Sequence, residues 1–101
     1  MSVIKLTTES FDSAISKGRV LVDFYADWCM PCTMVSPVIR ELAEEFKGKV
    51  EVANVDVDKE GTLAARYGIM SIPTVILFSD GAEVRRIVGV QKKQEYKAML
   101  E

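Results

Sequence analysis

The sequence contains no histidine and only two cysteines, three prolines and one tryptophan. Structural zinc ordinarily takes four cysteine or histidine ligands, so one copy of this chain cannot complete such a site, although a dimer could gather four thiolates around zinc or an iron–sulfur cluster. No metal site is therefore expected. Residues 1–10 lack the apolar run of a signal peptide, and no stretch approaches the ~20 apolar residues of a membrane span, so the expected compartment is the cytoplasm. The thirteen basic residues are scattered, Lys92-Lys93 is their longest cluster and the net charge is −2, which argues against nucleic acid or an anionic membrane as partner. There are no repeats, linkers or low-complexity tracts. The 101 residues, 49% hydrophobic and 28% charged, suit one domain over 1–101 with a modest core.

Both cysteines fall in one segment, Trp28-Cys29-Met30-Pro31-Cys32, directly after an apolar run. Pro31 suits the first turn of a helix, where a missing N–H costs nothing and the fixed φ is already helical. Cys29 then stands at the helix N-terminus, where unpaired N–H groups and the positive end of the helix dipole favour thiolate over thiol. Cys32, one turn later, can reach the same sulfur, so the pair can close a disulfide after attacking another. Two buried space-filling cysteines would be the bland alternative. A reducing cytoplasm disfavours a lasting structural disulfide and shifts the balance towards chemistry.

The remaining pattern alternates strand and helix. Val3 to Leu6 reads as a short strand, and Thr7-Thr8-Glu9 opens a helix with Phe11, Ala14 and Ile15 on one face, ended by Gly18. Val20 to Tyr25 is nearly unbroken apolar and β-rich, the mark of a central strand covered on both sides, interrupted only by Asp23. Val35, Val38, Ile39, Leu42 and Phe46 recur at helical spacing after the cysteines; Pro37 should kink that helix and Gly48 close it. Residues 50–57 form a third strand and 62–67 a short helix stopped by Gly68. Strands over 74–78 and 83–88 are joined at Asp80-Gly81 as an antiparallel hairpin, and 91–101 is an amphipathic helix with Tyr96, Met99 and Leu100 inward. The sum is an α/β fold: a three-layer α/β/α sandwich with a mixed five-stranded sheet and four helices. The cysteine helix should start at the carboxyl edge of the central strand, where open α/β sheets place their sites.

Val22-Asp23-Phe24-Tyr25-Ala26-Asp27-Trp28-Cys29, Pro31-Cys32, Pro37, Tyr67-Gly68-Ile69, Ile72-Pro73-Thr74, Gly81 and Val88-Gly89 together resemble the thioredoxin family, in element order from residue 3 to 100. The chain departs from the family pattern at Met30, where glycine is usual, at Thr33, where a cation is common, and at Asn54, where lysine is usual near the buried aspartate. The resemblance implies a thiol–disulfide oxidoreductase that reduces protein disulfides, with Cys29 attacking and Cys32 resolving the mixed disulfide. It also implies that Asp23, whose pKa burial should raise, takes the proton of Cys32 directly or through a water.

Sequence statistics alone make Ile72-Pro73 trans, whereas the resemblance implies a cis bond facing the cysteines, with Ile72 offering backbone groups to an extended substrate. Trp28, Met30, Pro31, Ile72, Pro73 and Gly89 would form the substrate-binding rim. No bound cofactor is needed beyond the reversible Cys29–Cys32 disulfide. The partners implied are disulfide-containing client proteins and a thioredoxin reductase as electron donor, with the chain acting as a monomer. The alternative is a redox-switched interaction module of the same fold without significant turnover.

Overall fold

The computed structural model describes residues 3–101, and nine elements follow the expected order. They are β1 (Val3–Lys5), α1 (Thr8–Ile15), β2 (Arg19–Tyr25), α2 (Met30–Glu45), β3 (Glu51–Asp56), α3 (Gly61–Arg66), β4 (Thr74–Ser79), β5 (Ala82–Val88) and α4 (Lys93–Leu100). The sheet order is β1-β3-β2-β4-β5, with β1, β3 and β2 parallel and β4 and β5 antiparallel to their neighbours. The mixed five-stranded sheet with four helices is the expected architecture.

The largely apolar character of β2 and β4 follows from their central positions. Alternate residues serve opposite layers, and every position of β2 between its two ends is buried. Val20, Val22, Phe24, Ile76 and Phe78 pack with Phe11 and Ile15 of α1 and Leu63 of α3 on one face. Leu21, Val75 and Leu77 pack with Val35, Ile39 and Leu42 of α2 and Tyr96, Met99 and Leu100 of α4 on the other. Asp23 occupies the second face, between Leu21 and Tyr25, and β2–β3 pairing sets it beside Asn54.

Local signals hold the ends. Thr7 caps α1 through a reciprocal pair with Ser10, its side chain accepting from the Ser10 N–H while the Ser10 hydroxyl accepts from the Thr7 N–H. Glu60 ties α1 to α3 by accepting from both the N–H and the hydroxyl of Thr8, at 2.8 and 2.9 Å. Asp80 and Gly81 both adopt positive φ, 49° and 88°, the two-residue turn whose twist matches the strands it joins. The 16-residue α2 runs through Pro37, whose ring removes the donor that would meet the Thr33 carbonyl.

Some expectations shift. Leu6 lies past the end of β1 although it is buried, and Ala14 is exposed because an eight-residue helix buries only the narrow stripe of Phe11 and Ile15. Helix α3 begins at Gly61 and ends one residue before Tyr67.

Candidate active site

Strand β2 leaves the sheet at Tyr25 and passes through Ala26, Asp27 and Trp28 to Cys29, the N-cap of α2. A sulfur thus stands where an oxygen usually caps a helix: Cys29 Sγ accepts the Cys32 N–H at 3.2 Å, and the Cys29 carbonyl accepts the Thr33 N–H at 3.3 Å. Cys29 and Cys32 form a disulfide with Cα atoms 5.3 Å apart. The short loop between them is set by one helical turn, with Pro31 in it as the spacing predicts. When the bond opens, the N–H that caps Cys29 and the helix end together favour its anion.

Standing at the helix tip does not expose Cys29: in the disulfide form both cysteines are buried, Cys29 4% and Cys32 3% exposed, packed with Ala26, Tyr25, Val57 and Ile72. The asymmetry lies in hydrogen bonding, since Cys29 Sγ receives the backbone donor. Cys29 Sγ also lies 3.9 Å from the Ile72 carbonyl oxygen, so the segment before Pro73 borders the sulfur.

On the face of β2 that α2 covers lies Asp23, 3% exposed, its carboxyl pushed up to about 7 by loss of solvation. Two cavities flank this carboxyl and the cysteines. One of about 300 Å³ is lined by Cys32, Asp27, Thr33, Ser36 and Arg40, and another of about 220 Å³ by Asp23, Asn54, Lys5, Ser36 and Arg40. Ser36 and Arg40, one helical turn apart on α2, line both.

The rim is apolar and open. Trp28, Met30, Met34 and Met70 are each between 66% and 93% exposed, and Pro31 is exposed beside them. Trp28 is therefore surface rather than core, held by its indole N–H donating to Asp58 Oδ2 at 2.6 Å. The Ile72-Pro73 bond is cis, against the sequence statistics and as the resemblance implied. Pro73 itself is buried and Ile72 half-buried, which corrects the expectation of the proline ring as contact surface: its carbonyl instead accepts the Gly89 N–H at 2.8 Å. Gly89, with φ of 90°, is drawn in from the far end of β5, and Tyr96 fixes it by donating its hydroxyl to the Gly89 carbonyl at 3.0 Å.

The structure thus gathers Asp23, Trp28, Cys29, Met30, Pro31, Cys32, Ile72, Pro73 and Gly89 at one end of the sheet. Sequence reasoning missed Met34, Met70, Asp58 and Tyr96. Met34 was accessible to it, since it stands four residues after Met30 on the same helix face. Asp58 and Tyr96 act through tertiary hydrogen bonds that leave no local pattern.

An α/β/α domain whose helix N-terminus carries a Cys–x–x–Cys disulfide beside a cis-proline loop, with a buried carboxylate on the strand before it, defines the thioredoxin-like class of dithiol–disulfide exchange proteins. The model of the Thioredoxin family matches residues 2–101. Proteins named thioredoxin from Staphylococcus aureus strains Mu50, MW2 and N315 are each 45% identical over 101 residues, covering 100% of this chain and 97% of theirs. The chain belongs to the thioredoxin family, and its activity is thiol–disulfide exchange of the protein-disulfide reductase type. Among the described residues no helix is long and apolar enough to cross a membrane, and no group of three or more histidine, cysteine or acidic side chains is placed to hold a metal ion.

Proposed function

We propose that Cys29 is the attacking thiolate and Cys32 the resolving thiol in the reduction of client protein disulfides. The observation that carries this assignment is the capping bond from the Cys32 N–H to Cys29 Sγ at 3.2 Å, which stabilises charge on the first sulfur and not on the second. In the reduced protein Cys29 S⁻ attacks one sulfur of a client disulfide, forming a mixed disulfide and expelling the other client sulfur as thiolate. Cys32 then loses its proton to Asp23, directly or through a water, and its thiolate attacks Cys29 Sγ. The Cys29–Cys32 bond forms, the mixed disulfide breaks, and the second client thiolate leaves. Two electrons pass from the protein to the client, and the proton on Asp23 returns to solvent or to the departing thiolate.

The client chain docks on Trp28, Met30, Pro31, Met34 and Met70 and pairs with the backbone beside Ile72, held open by cis-Pro73 and Gly89. No cofactor takes part beyond the disulfide itself. A thioredoxin reductase restores the dithiol, and the protein works as a monomer in the cytoplasm, where its reduced form is sustained.

The test is trapping. With an insulin-type interchain disulfide as client, Cys32→Ser should accumulate a covalent adduct through Cys29 and lose turnover, whereas Cys29→Ser should form no adduct. An adduct formed through Cys32 in Cys29→Ser, with none in Cys32→Ser, overturns the assignment. Wild-type protein that is folded yet gives no rate above background with dithiothreitol indicates instead an interaction module switched by its disulfide.

A further inference from the structure

Two buried side-chain oxygens have no hydrogen-bond partner among the described residues: Asp23 Oδ1 and Asn54 Oδ1. They belong to register partners on adjacent parallel strands and line the same cavity of about 220 Å³. Two lone acceptors with no donor between them carry an unmet desolvation cost, of order 1–3 kcal/mol for each unpaired group. A single proton placed on Asp23 resolves both at once, because a neutral carboxyl donates one O–H and the facing amide oxygen accepts it.

We propose that Asn54 is a two-position partner of Asp23, its amide oxygen accepting the carboxyl proton in the neutral state and its amide N–H donating to the carboxylate after a half-turn of the side chain. This rests on the proposed role of Asp23 in resolution and deepens it. An amide is suited to the task because it presents an acceptor and two donors on one planar group, so rotation alone exchanges one for the other.

The other groups facing Asp23 do not serve instead. From β1, Lys5 donates its Nζ to the Tyr25 hydroxyl at 3.0 Å. From α2, Arg40 is exposed at the mouth of the cavity, and from α4, Tyr96 donates to the Gly89 carbonyl. The strand on the other side, β4, presents Val75 opposite Asp23. Ser36 of α2 also lines the cavity, but Asn54 is the strand neighbour whose buried oxygen is unsatisfied.

In the reaction, the amide turned with N–H inward holds Asp23 ionised and ready. When Cys32 S–H gives its proton, Asp23 becomes neutral, the amide turns, and the proton rests between Asp23 and Asn54 while the Cys29–Cys32 bond forms. Ser36 and Arg40 line both this cavity and the one beside Cys32, and Arg40 is exposed, so the proton can leave to solvent on that side. The elevated carboxyl, titrating about 7, places both positions within reach near neutral pH.

The experiment is an NMR titration of labelled protein without client, in both redox states, from about pH 5 to about pH 9 around the carboxyl's midpoint. The side-chain amide resonances of Asn54 should move with the Asp23 carboxyl carbon, sharing one midpoint, and that transition should vanish in Asp23→Asn. In Asn54→Leu both hydrogen bonds are lost, and because the one to the charged carboxylate is the stronger, the Asp23 midpoint should rise by about one unit, and resolution of a Cys29 mixed disulfide near pH 6 should slow about tenfold and recover as pH rises. Asn54→Gln should restore part of the rate. Asn54 amide signals that stay flat while Asp23 titrates, or a midpoint unmoved in Asn54→Leu, overturn the proposal. Because the titration needs no client, it can succeed even where the exchange assignment fails. If Asn54→Leu does not fold, the wild-type and Asp23→Asn titrations still decide.

Discussion

At the scale of single residues, Asp23 shows how function sets a cost on the fold. A carboxyl on an interior strand face is stable there mainly in its neutral form, since nothing positively charged compensates its burial. Its folded pKa of about 7 exceeds the 3.8 of an ordinary solvated aspartate, so between those values the folded chain holds a proton that the unfolded chain has released. That proton's stabilising effect is complete below about pH 4 and fades as pH rises towards 7. At 1.36 kcal/mol per unit, the full span corresponds to about 4 kcal/mol as an upper bound. Asp23→Asn, a neutral near-isostere, should therefore raise the thermal midpoint above pH 7, with the gain shrinking to nothing as pH falls to about 4. Thermal denaturation of both proteins across pH checks this; a pH-independent difference would remove the burial argument.

At the scale of elements, α2 carries two separate tasks along its length. Its first turn holds the cysteines and exposes Met30 and Met34, and its later turns bury Val35, Ile39 and Leu42 against the sheet. The exposed tip joins Met70 and Trp28 in an apolar rim with no packing role, so its removal should spare the fold. We expect Met30→Ser, Met34→Ser and Met70→Ser combined to raise KM for a protein disulfide about tenfold or more, as loss of buried apolar contact implies, while the rate with a small aromatic disulfide stays within about twofold. Equal losses on both substrates would show that the rim acts on the sulfurs and not on docking. The helix was legible from its period and from Pro31, as were Phe11, Ile15, Tyr96, Met99 and Leu100 as inward residues. Ala14 misled because an apolar residue on the right stripe is buried only where a neighbouring layer reaches it. The cis bond before Pro73 was legible only through family resemblance, as an isolated Ile-Pro pair favours trans.

At the scale of the whole molecule, the two signs of charge nearly balance, and the surface around the sulfurs is dominated by Trp28, Pro31 and methionines. Ion pairs gather elsewhere, as where Lys93 of α4 meets Glu41 and Glu45 of α2. Such exposed pairs contribute little individually. Encounter with clients should thus depend weakly on ionic strength: raising sodium chloride from about 50 to about 500 mM should change the rate of client reduction by less than about twofold, because Trp28, Met30, Pro31, Met34 and Met70, the side chains that make the contact, carry no charge for salt to screen. A steep fall with salt would point to electrostatic steering by groups outside the rim.

The amino-acid sequence by itself determined the element order, the strand that lies at the centre and the helix tip that bears both cysteines. These are encoded within short windows, in hydrophobic period, turn residues and the Cys-x-x-Cys spacing. Tertiary structure alone decided that Asp23 faces Asn54, that Asp58 pins Trp28, that Tyr96 draws Gly89 to Pro73, and that both sulfurs are buried in the disulfide state. Each of these joins residues from different elements. Their chemistry comes from which strand lies beside which and how much water the layers exclude, and no stretch of the chain specifies that before the sheet has formed.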